Sequence, residues 1–262
     1  MTKRIRLDAE LVRRGLASTR SEAKLAIEEG KVTVKGLAEP RPSSLVDPER
    51  AIQLTGAPRR FKSRGGDKLD AALEAFDVVV ADRRWLDAGA STGGFTDRLL
   101  QGRAAAVIAL DVGYGQLDLG LRNDPRVIVL ERTNVRKIGA PDLPWRPDGV
   151  VADLSFISLA MVLPALVGVA ARDADFVLLV KPQFEVGRED VGKGGVVREP
   201  ASWRSAIESV VRAGRELGLG LAGACASPLV GPAGNRELFV HLKRGAAGSD
   251  DLVRSAVAEA AV

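Results

Sequence analysis

Trp85-Leu86-Asp87-Ala88-Gly89-Ala90-Ser91-Thr92-Gly93-Gly94-Phe95-Thr96 is the stretch that decides the fold, because a short apolar run ends in an acid and opens into a turn of small residues. The pattern predicts a strand, a tight turn and the start of a helix near Phe95. Glycine permits sharp bends, and the free N–H groups at a helix start attract polar groups of a ligand. We therefore expect a nucleotide-like ligand at this turn.

The spacing within the turn separates two classes of ligand. The dinucleotide fingerprint is G-x-G-x-x-G, and Ser91 replaces its second glycine, the one that admits a pyrophosphate. The pattern D-x-G-x-S-x-G instead resembles the first motif of S-adenosylmethionine-dependent methyltransferases, whose ligand carries no phosphate. The resemblance implies a set of cofactor-binding residues: Asp87, Gly89, Ser91, Thr92, Gly93, Gly94 and Phe95. An ordinary strand-to-helix turn without a ligand is the alternative.

Composition limits the class of protein. A chain of 262 residues predicts one medium and one small domain. No apolar run reaches the ~18 residues of a membrane span, and the first residues form no signal-peptide core, so we expect a cytoplasmic protein. The single cysteine, Cys225, and single histidine, His241, argue against disulfides, metal sites and a Ser-His-Asp triad. We interpret them as a small buried thiol and a hydrogen-bonded strand residue, and we expect no metal.

Positive charge is concentrated at the start of the chain. Residues 1–66 hold 15 Lys and Arg against 8 Asp and Glu, whereas the whole chain has a net charge of only +4. A basic small domain joined to a mildly acidic larger one indicates that the small domain binds a polyanion.

The first 56 residues have the pattern of a compact unit of two helices and a small sheet. Asp8 is the predicted N-cap of the first helix, and glycines end both helices. Alternating residues at 31–36 predict a half-buried strand, and a second strand is predicted at 51–54.

This unit resembles the S-four (alpha-L) RNA-binding domain. The resemblance is carried by Arg6-Leu7-Asp8, Leu11, Gly15, Ser18, Arg20, Ala23, Ile27-Glu28-Glu29-Gly30, Val32 and Val34. That module presents basic side chains to folded RNA, which implies phosphate contacts here. The candidates, which include two residues near the domain junction, are Arg4, Arg6, Arg13, Arg14, Arg20, Lys24, Arg59 and Arg64. The alternative is that these charges only solvate helix faces.

The rest of the chain alternates apolar strands with helices, which indicates a parallel sheet covered on both faces. After the opening strand, further strands are predicted at 105–111, 127–130, 149–153 and 176–181, with helices at 158–171 and 200–217. The final two strands, at 219–226 and 237–243, are predicted to pair antiparallel. Residues 182–199 are rich in glycine and charge and predict a mobile loop.

Polar residues end several of these strands. Ligands bind at the carboxyl ends of parallel strands, where Asp87, Asp111, Asp153 and Lys181 all fall. Asp111, 24 positions after Asp87, is placed to accept hydrogen bonds from both ribose hydroxyls of an adenosine. Asn134, after the next strand, is a candidate contact for the adenine edge.

Four residues form a candidate catalytic set: Lys68, Asp153, Lys181 and Glu237. They resemble the Lys-Asp-Lys-Glu tetrad of FtsJ-like ribose 2′-O-methyltransferases. Longer motifs extend the likeness, namely Ser63-Arg64-Gly65-Gly66-Asp67-Lys68-Leu69, Asp111-Val112-Gly113-Tyr114-Gly115-Gln116-Leu117, Asp153-Leu154-Ser155-Phe156-Ile157-Ser158, Lys181-Pro182-Gln183-Phe184-Glu185 and Gly234-Asn235-Arg236-Glu237. With the basic first domain, they are similar to the TlyA family, rRNA (cytidine-2′-O)-methyltransferases also known as haemolysins.

The resemblance implies a Rossmann-like α/β methyltransferase sheet, mostly parallel with its last strand antiparallel, and a small N-terminal α+β RNA-binding domain. We expect the S-four-like domain at 1–58, a linker at 59–64, the FtsJ-like domain at 65–245 and a C-terminal tail at 246–262. The implied cofactor is S-adenosyl-L-methionine. The implied partner is ribosomal RNA, 16S, 23S or both, in 30S and 50S subunits. We further expect a monomer that does not bind membranes.

The residue types suit the reaction and leave two mechanisms open. A ribose hydroxyl must lose its proton and align with the methyl carbon, so Lys181 could act as a general base or stay charged and orient the oxygen. Two surface salt bridges are the alternative for the four residues. A non-catalytic RNA-binding or ribosome-assembly factor and a pore-forming haemolysin are the alternative functions.

Overall fold

The chain divides into two compact units, Met1–Arg59 and Arg60–Val262. The structure is a computed structural model, and it describes residues 4–17, 20–28, 30–55, 60–231 and 233–262. Arg59, a predicted RNA contact, and most of the junction between the units lie outside these ranges.

The first unit combines short strands with two helices. Its elements are β1 (Ile5–Arg6), α1 (Leu7–Arg13), α2 (Arg20–Glu28), β2 (Val32–Val34), β3 (Leu45–Val46) and β4 (Ile52–Leu54). The predicted strands correspond to β2 and β4, which pair antiparallel with Val32 and Val34 buried and Thr33 exposed. β1 and β3 form a second antiparallel pair. Two-residue strands are too short to produce a periodic pattern, and the sequence did not predict them.

The predicted N-cap of α1 is wrong. Asp8 lies inside the helix, and Arg6 occupies the cap position without a side-chain cap. The carboxylate of Asp8 accepts hydrogen bonds from the guanidinium groups of Arg6 and Arg20. Charge-assisted hydrogen bonds from two arginines are stronger than one hydrogen bond from a backbone N–H, which explains why the Asp8 carboxylate binds arginines instead of capping the helix.

The second unit is an α/β sandwich. Its elements are α3 (Arg64–Ala75), β5 (Arg84–Ala88), α4 (Gly94–Gln101), β6 (Ala106–Leu110), α5 (Leu119–Arg122), β7 (Val127–Leu130), β8 (Gly149–Ala152), α6 (Leu159–Val169), β9 (Asp175–Val180), α7 (Pro182–Glu185), α8 (Pro200–Glu216), β10 (Gly220–Ala226), β11 (Leu238–Lys243) and α9 (Asp250–Ala260).

Its seven strands form one sheet in the order β10-β11-β9-β8-β5-β6-β7. The five strands β5 to β9 are parallel, and β11 is antiparallel to both of its neighbours. The predicted fold class is confirmed, including the antiparallel last strand. Because β5 is central and its neighbours β6 and β8 lie on opposite sides, the turn after β5 lies at the switch point where ligands bind in such sheets.

Both faces of the sheet are covered by apolar side chains. On one face Leu86 and Val150 pack among residues of α6, α8 and α9. On the other, Trp85 and Val151 pack among residues of α3 and α4. Successive strand residues point to opposite faces, so near-continuous apolar strands are what a doubly covered sheet requires.

Residues 60–64, predicted as linker, form part of the second unit. The Lys62 backbone N–H donates to Asp97 Oδ2 at 2.8 Å. Phe61 is only 3 % exposed, and a Cβ atom on Gly66 of α3 would collide with its ring. Phe61 is therefore a core residue of this unit.

The C-terminal residues also pack on the sheet. The predicted tail at 246–262 contains α9, whose Val253, Ala256 and Ala260 are buried. Glu259 Oε2 accepts from the Ala226 N–H at 2.9 Å. Across the described residues, no helix has both the length and the apolar character of a bilayer span.

His241 is a satisfied strand residue, as predicted. On β11, its Nε2 lies 2.8 Å from Asp175 Oδ1, and Arg83 and Lys243 bind the same carboxylate. Burial alone would raise the pKa of Asp175, but hydrogen bonds from these three side chains lower it below its usual value. Burial raises the pKa of the half-buried Cys225 thiol to about 12, which makes it a poor nucleophile.

Candidate active site

The turn after β5 is built on left-handed backbone. Gly89 has φ +87°, Gly93 has φ +96° and Ser91 has φ +48°. A Cβ atom on Gly89 would lie 2.5 Å from the carbonyl oxygen of Asp153. Glycine is required there because the turn approaches the end of β8, and this approach brings a predicted cofactor residue next to a predicted catalytic one.

Contacts within the protein explain why Gly93 and Gly94 must be small. A Cβ atom on Gly93 would collide with Leu121, and one on Gly94 would collide with Ser63 Oγ. The sequence interpretation assigned their small size to the approach of a ligand. The structure shows that they let α4 begin in close contact with α5 and with the start of α3.

Asp87 lies beneath the turn and is fully buried. Its Oδ2 accepts from Thr96 Oγ1 at 2.7 Å, while its Oδ1 is buried with no hydrogen-bond partner among the described residues. Burial, opposed by the hydrogen bond from Thr96 and assisted by the nearby Asp153 carboxylate, raises the pKa of Asp87 to about 7. An unsatisfied buried acceptor is costly and suits a donor group of a bound ligand.

Phe95 does not face the turn. Its ring is 3 % exposed and lies 6.2 Å from that of Phe239, in the apolar layer beneath the sheet. Because the first helical turn directs the ring into the core, the prediction that Phe95 binds a cofactor now concerns its backbone N–H rather than its side chain.

Asp111 follows β6 and joins two loops. Its Oδ2 accepts from the Ser91 N–H at 2.8 Å and its Oδ1 from the Gly113 N–H at 2.7 Å. Each carboxylate oxygen retains a lone pair, so a ligand hydroxyl can still bind. Thr92, half-buried in the same turn, accepts from the Asp118 N–H through its carbonyl oxygen at 3.3 Å.

Asn134 is exposed after β7 and caps the short helical turn Val135–Lys137. Its Oδ1 accepts from the Arg136 N–H at 3.0 Å. Capping fixes this side chain at the carboxyl edge of the sheet.

The four predicted catalytic residues form two ion pairs. Lys181, after β9, places Nζ 2.6 Å from Asp153 Oδ1, after β8, and the two side chains are 12 % and 26 % exposed. Lys68 of α3 donates to Glu237, and both are buried. Burial argues against the alternative that Lys68 and Glu237 form a surface salt bridge.

Sheet register brings the two pairs to one edge. Leu238 pairs with Val180 between the antiparallel strands β11 and β9. Glu237 therefore enters β11 at the end where Lys181 leaves β9. Lys68 and Glu237 form the buried pair, and Lys181 and Asp153 form the more accessible one.

Three residues of the loops after β8 and β9 were assigned no role from the sequence: Ser155, Phe156 and Phe184. Ser155 Oγ accepts from Lys181 Nζ at 2.9 Å. Phe156 is 91 % exposed with φ +63°, and its ring centroid lies 5.3 Å from that of Phe184. These residues lie within the motifs quoted above. Loop residues follow no helical or strand period, so the sequence pattern could not predict that an aromatic side chain there faces outward.

Glu185 ties the two loops together. It accepts from Ser158 Oγ at 2.6 Å and from the Leu159 N–H at 2.7 Å, at the start of α6. Burial raises the pKa of Glu185. The loops after β8 and β9 thus share polar and aromatic contacts around Lys181.

Acids hold most of the predicted RNA-binding arginines of the first unit. Arg6 and Arg20 bind Asp8, while Arg13 and Arg14 bind the buried Glu10. A hydrogen bond from Arg6 holds the pKa of Asp8 at about 2, and a hydrogen bond from Arg13 holds that of Glu10 at about 2. The guanidinium groups are thereby fixed in direction.

The side chains of these four arginines differ in how far they are exposed to solvent. The side chains of Arg6, Arg13 and Arg20 are 47 %, 55 % and 60 % exposed, whereas Arg14 is 22 % exposed and also donates to Pro48 O. Arg14 is thus the least exposed of the four and is held by contacts within the first unit. The other described candidates for RNA contact are Lys24, Arg4 and Arg64. Lys24 Nζ lies 3.7 Å from Glu28 Oε1, and Arg4 is exposed. Arg64 is half-buried at the first position of α3, in the second unit.

Comparison with known proteins agrees with this geometry. Residues 61–244 match the FtsJ-like methyltransferase family and residues 5–50 match the S4 domain. The chain is 54 % identical, over 99 % of both sequences, to the 16S/23S rRNA (cytidine-2′-O)-methyltransferase TlyA of Mycobacterium tuberculosis. The chain belongs to the TlyA family. It is therefore a methyltransferase with an S4 domain.

Other TlyA-family relatives carry a different name. Hemolysin A of Brachyspira hyodysenteriae is 34 % identical over 90 % of this chain and 99 % of its own length. A solved structure from Streptococcus thermophilus, also titled as a hemolysin, has a TM-score of 0.79 and 37 % identity over 99 % of this chain and 96 % of its own. The TlyA fold is thus shared by proteins named for two activities.

Proposed function

We propose that this protein transfers a methyl group from S-adenosylmethionine to the ribose 2′-oxygen of cytidine in ribosomal RNA. The observation that carries the proposal is the Lys181–Asp153 pair, which lies beside the glycine turn at the switch point of the sheet. The two relatives named for methylation of cytidine 2′-oxygens, from Mycobacterium tuberculosis and Campylobacter jejuni, support the choice of oxygen and nucleotide.

The residues of the turn suit S-adenosylmethionine. Asp87 offers the buried Oδ1 that lacks a hydrogen-bond partner among the described residues, and an ammonium group is a matching donor. Asp111 offers free lone pairs to ribose hydroxyls, and Ser91, Thr92 and Asn134 line the same carboxyl edge. When bound, S-adenosylmethionine supplies a methyl carbon made electrophilic by its sulfonium.

Lys181 controls the proton and orientation of the attacking ribose oxygen. The oxygen becomes a competent nucleophile as its O–H bond is lost, so a nitrogen within hydrogen-bond reach accelerates the reaction. Lys181 Nζ either accepts this proton or, as an ammonium, directs an oxygen lone pair. Asp153 holds the nitrogen in place for both routes, and the Lys68–Glu237 pair supports the adjoining strand end.

The S4 unit selects the RNA. Its exposed, acid-fixed arginines suit phosphates of a folded RNA, because a guanidinium held in direction loses less entropy on binding. The Mycobacterium relative is named for both 16S and 23S rRNA, and we extend both substrates, within assembled subunits, to this chain.

Tritiated methyl transfer to separate small and large ribosomal subunits tests the proposal. Label should appear at alkali-resistant ribose positions of cytidine, since 2′-O-methylation blocks backbone cleavage. Label on a base or on ribosomal protein would refute the ribose assignment, and labelling of one subunit would restrict the substrate to it. Calorimetry should show binding of S-adenosylmethionine and none of NAD; the reverse would refute the cofactor.

A further inference from the structure

We propose that Ser155 is a positioning residue that aims Lys181 Nζ at the ribose hydroxyl. The inference rests on the proposed function, and it begins from the two oxygen atoms next to this nitrogen. Asp153 Oδ1 lies 2.6 Å from Lys181 Nζ as an ion pair, and Ser155 Oγ accepts a hydrogen bond from it at 2.9 Å. Both oxygens belong to the loop after β8, two residues apart.

The two contacts differ in kind. Asp153 Oδ1 forms an ion pair with Lys181 Nζ without the geometry of a hydrogen bond, so it attracts the nitrogen but does not set the direction of an N–H. The Ser155 hydroxyl accepts a hydrogen bond from Lys181 Nζ. Because the nitrogen is tetrahedral and attached to Cε, one N–H held by Ser155 stops rotation about the Cε–Nζ bond and fixes the two remaining positions, which are two N–H groups in the ammonium and one N–H and one lone pair in the neutral amine.

The backbone supports a functional reason for this placement. Phe156, directly after Ser155, is a bulky residue in the left-handed region, a strained conformation that persists where surrounding contacts impose it. The turn directs Ser155 toward Lys181 while Phe156 faces outward against Phe184. Ser155 is exposed, so its hydroxyl contributes no core packing that would otherwise explain it.

The test compares Ser155→Ala with Ser155→Thr, which keeps the hydroxyl. Ser155→Ala should lower kcat for subunit methylation roughly 10- to 100-fold and leave KM for S-adenosylmethionine and RNA within about twofold. Ser155→Thr should restore most of kcat. Ser158→Ala removes a hydroxyl from the same loop that binds Glu185 rather than Lys181, and it controls for general loosening of the loop.

A second readout needs neither cofactor nor RNA. In protein carrying ¹³C-labelled lysine, the two Hε protons of Lys181 should have separate chemical shifts because the nitrogen is held. Lys181→Arg assigns the signal. The separation should collapse in Ser155→Ala, survive in Ser158→Ala and return in Ser155→Thr.

Three results would overturn the positioning role: an unchanged kcat and Hε separation in Ser155→Ala, equal losses in Ser158→Ala, or no recovery in Ser155→Thr. A wild-type protein that fails to methylate ribose would refute the proposed function instead, and the Hε comparison would still judge the contact between Ser155 and Lys181.

Discussion

Lys68 forms a buried ion pair with Glu237, a residue 169 positions later in the sequence. Lys68 is 6 % exposed and Glu237 is 3 % exposed. The pair joins α3, which begins beside the glycine turn, to the start of β11, which adjoins the strand carrying Lys181. One interaction thus connects the candidate cofactor turn with the candidate catalytic edge.

Glu237→Gln should destabilise the protein strongly, because it leaves the Lys68 ammonium buried without a counter-charge. Removing one partner of a buried pair costs about 3–5 kcal/mol, which thermal unfolding will record as a lower Tm. Glu208→Gln is the matched control, since Glu208 pairs with Arg204 at an exposed site and should cost less than about 1 kcal/mol. Equal Tm values for the two variants would contradict the prediction.

Lys181→Ala should reduce methyl transfer at least about 100-fold, because the proton of the ribose oxygen loses its partner. Lys181 forms an ion pair with Asp153 and a hydrogen bond with Ser155 and has no such contact with the glycine turn, so S-adenosylmethionine affinity and Tm should change little. Single-turnover kinetics and calorimetry measure the two effects. Lys193→Ala, on an exposed loop, is the control, and equal rates in both variants would show that Lys181 is misassigned.

Phe156→Ala should weaken methylation without reducing stability. A 91 % exposed ring contributes little to the core, but an aromatic face directly after Ser155, which binds Lys181, can stack on the target base, an interaction worth about 1–3 kcal/mol per base. We expect kcat/KM for subunits to fall about 5- to 150-fold and Tm to stay constant. Phe156→Trp keeps the aromatic face and should retain activity; a loss as large as in the alanine variant would exclude stacking.

Asp87→Asn should change how stability depends on pH. The pKa of Asp87 is about 7 in the folded protein and near 4 when unfolded, so the unfolded chain binds fewer protons between these values. Stability therefore falls as pH rises through this window, by up to about 1.4 kcal/mol per pH unit from this group. Denaturant unfolding from pH 5 to pH 8 should show a smaller fall in Asp87→Asn. Parallel curves would show that Asp87 titrates normally.

Arg20→Ala and Arg14→Ala should separate RNA binding from stability. Arg20 is 60 % exposed, so its loss should reduce the salt dependence of RNA affinity by about one counterion. Arg14 is 22 % exposed and bonded to Glu10 and Pro48, so its loss should lower Tm and leave the salt slope unchanged. Anisotropy titrations with a labelled rRNA fragment at several KCl concentrations provide the slopes. The opposite pattern would reverse the two assignments.

Sequence patterns predicted the sheet well because its strands are buried on both faces. Val127–Leu130 has the predicted bounds, and the other strands of the second unit with predicted bounds differ by one residue at one or both ends. Side-chain direction was harder to predict. Phe95 follows the glycine turn and yet faces the core, and Asp8 binds arginines rather than capping a helix. Both outcomes depend on partners distant in sequence, such as Phe239 and Arg20.

The residues of the candidate site could likewise be predicted from the sequence only in part. Lys68, Asp153, Lys181 and Glu237 were identified as a set, because a family motif fixes residue types. Their division into one buried and one accessible pair required the register of β11 against β9. Ser155 was quoted within a motif without a role, because its contact is with Lys181, 26 positions later in the sequence.

The helix α9 and the segment before it close the outer side of β10, the last strand of the sheet. The Gly248 N–H donates to Leu221 O at 2.8 Å, and Glu259 accepts from the Ala226 N–H. Backbone groups of an edge strand otherwise recruit strands from other chains, which is a common route to aggregation. The final residues therefore occupy backbone groups of β10 that could otherwise pair with strands of other chains. We expect a chain shortened before residue 248 to be less soluble and to aggregate through this edge.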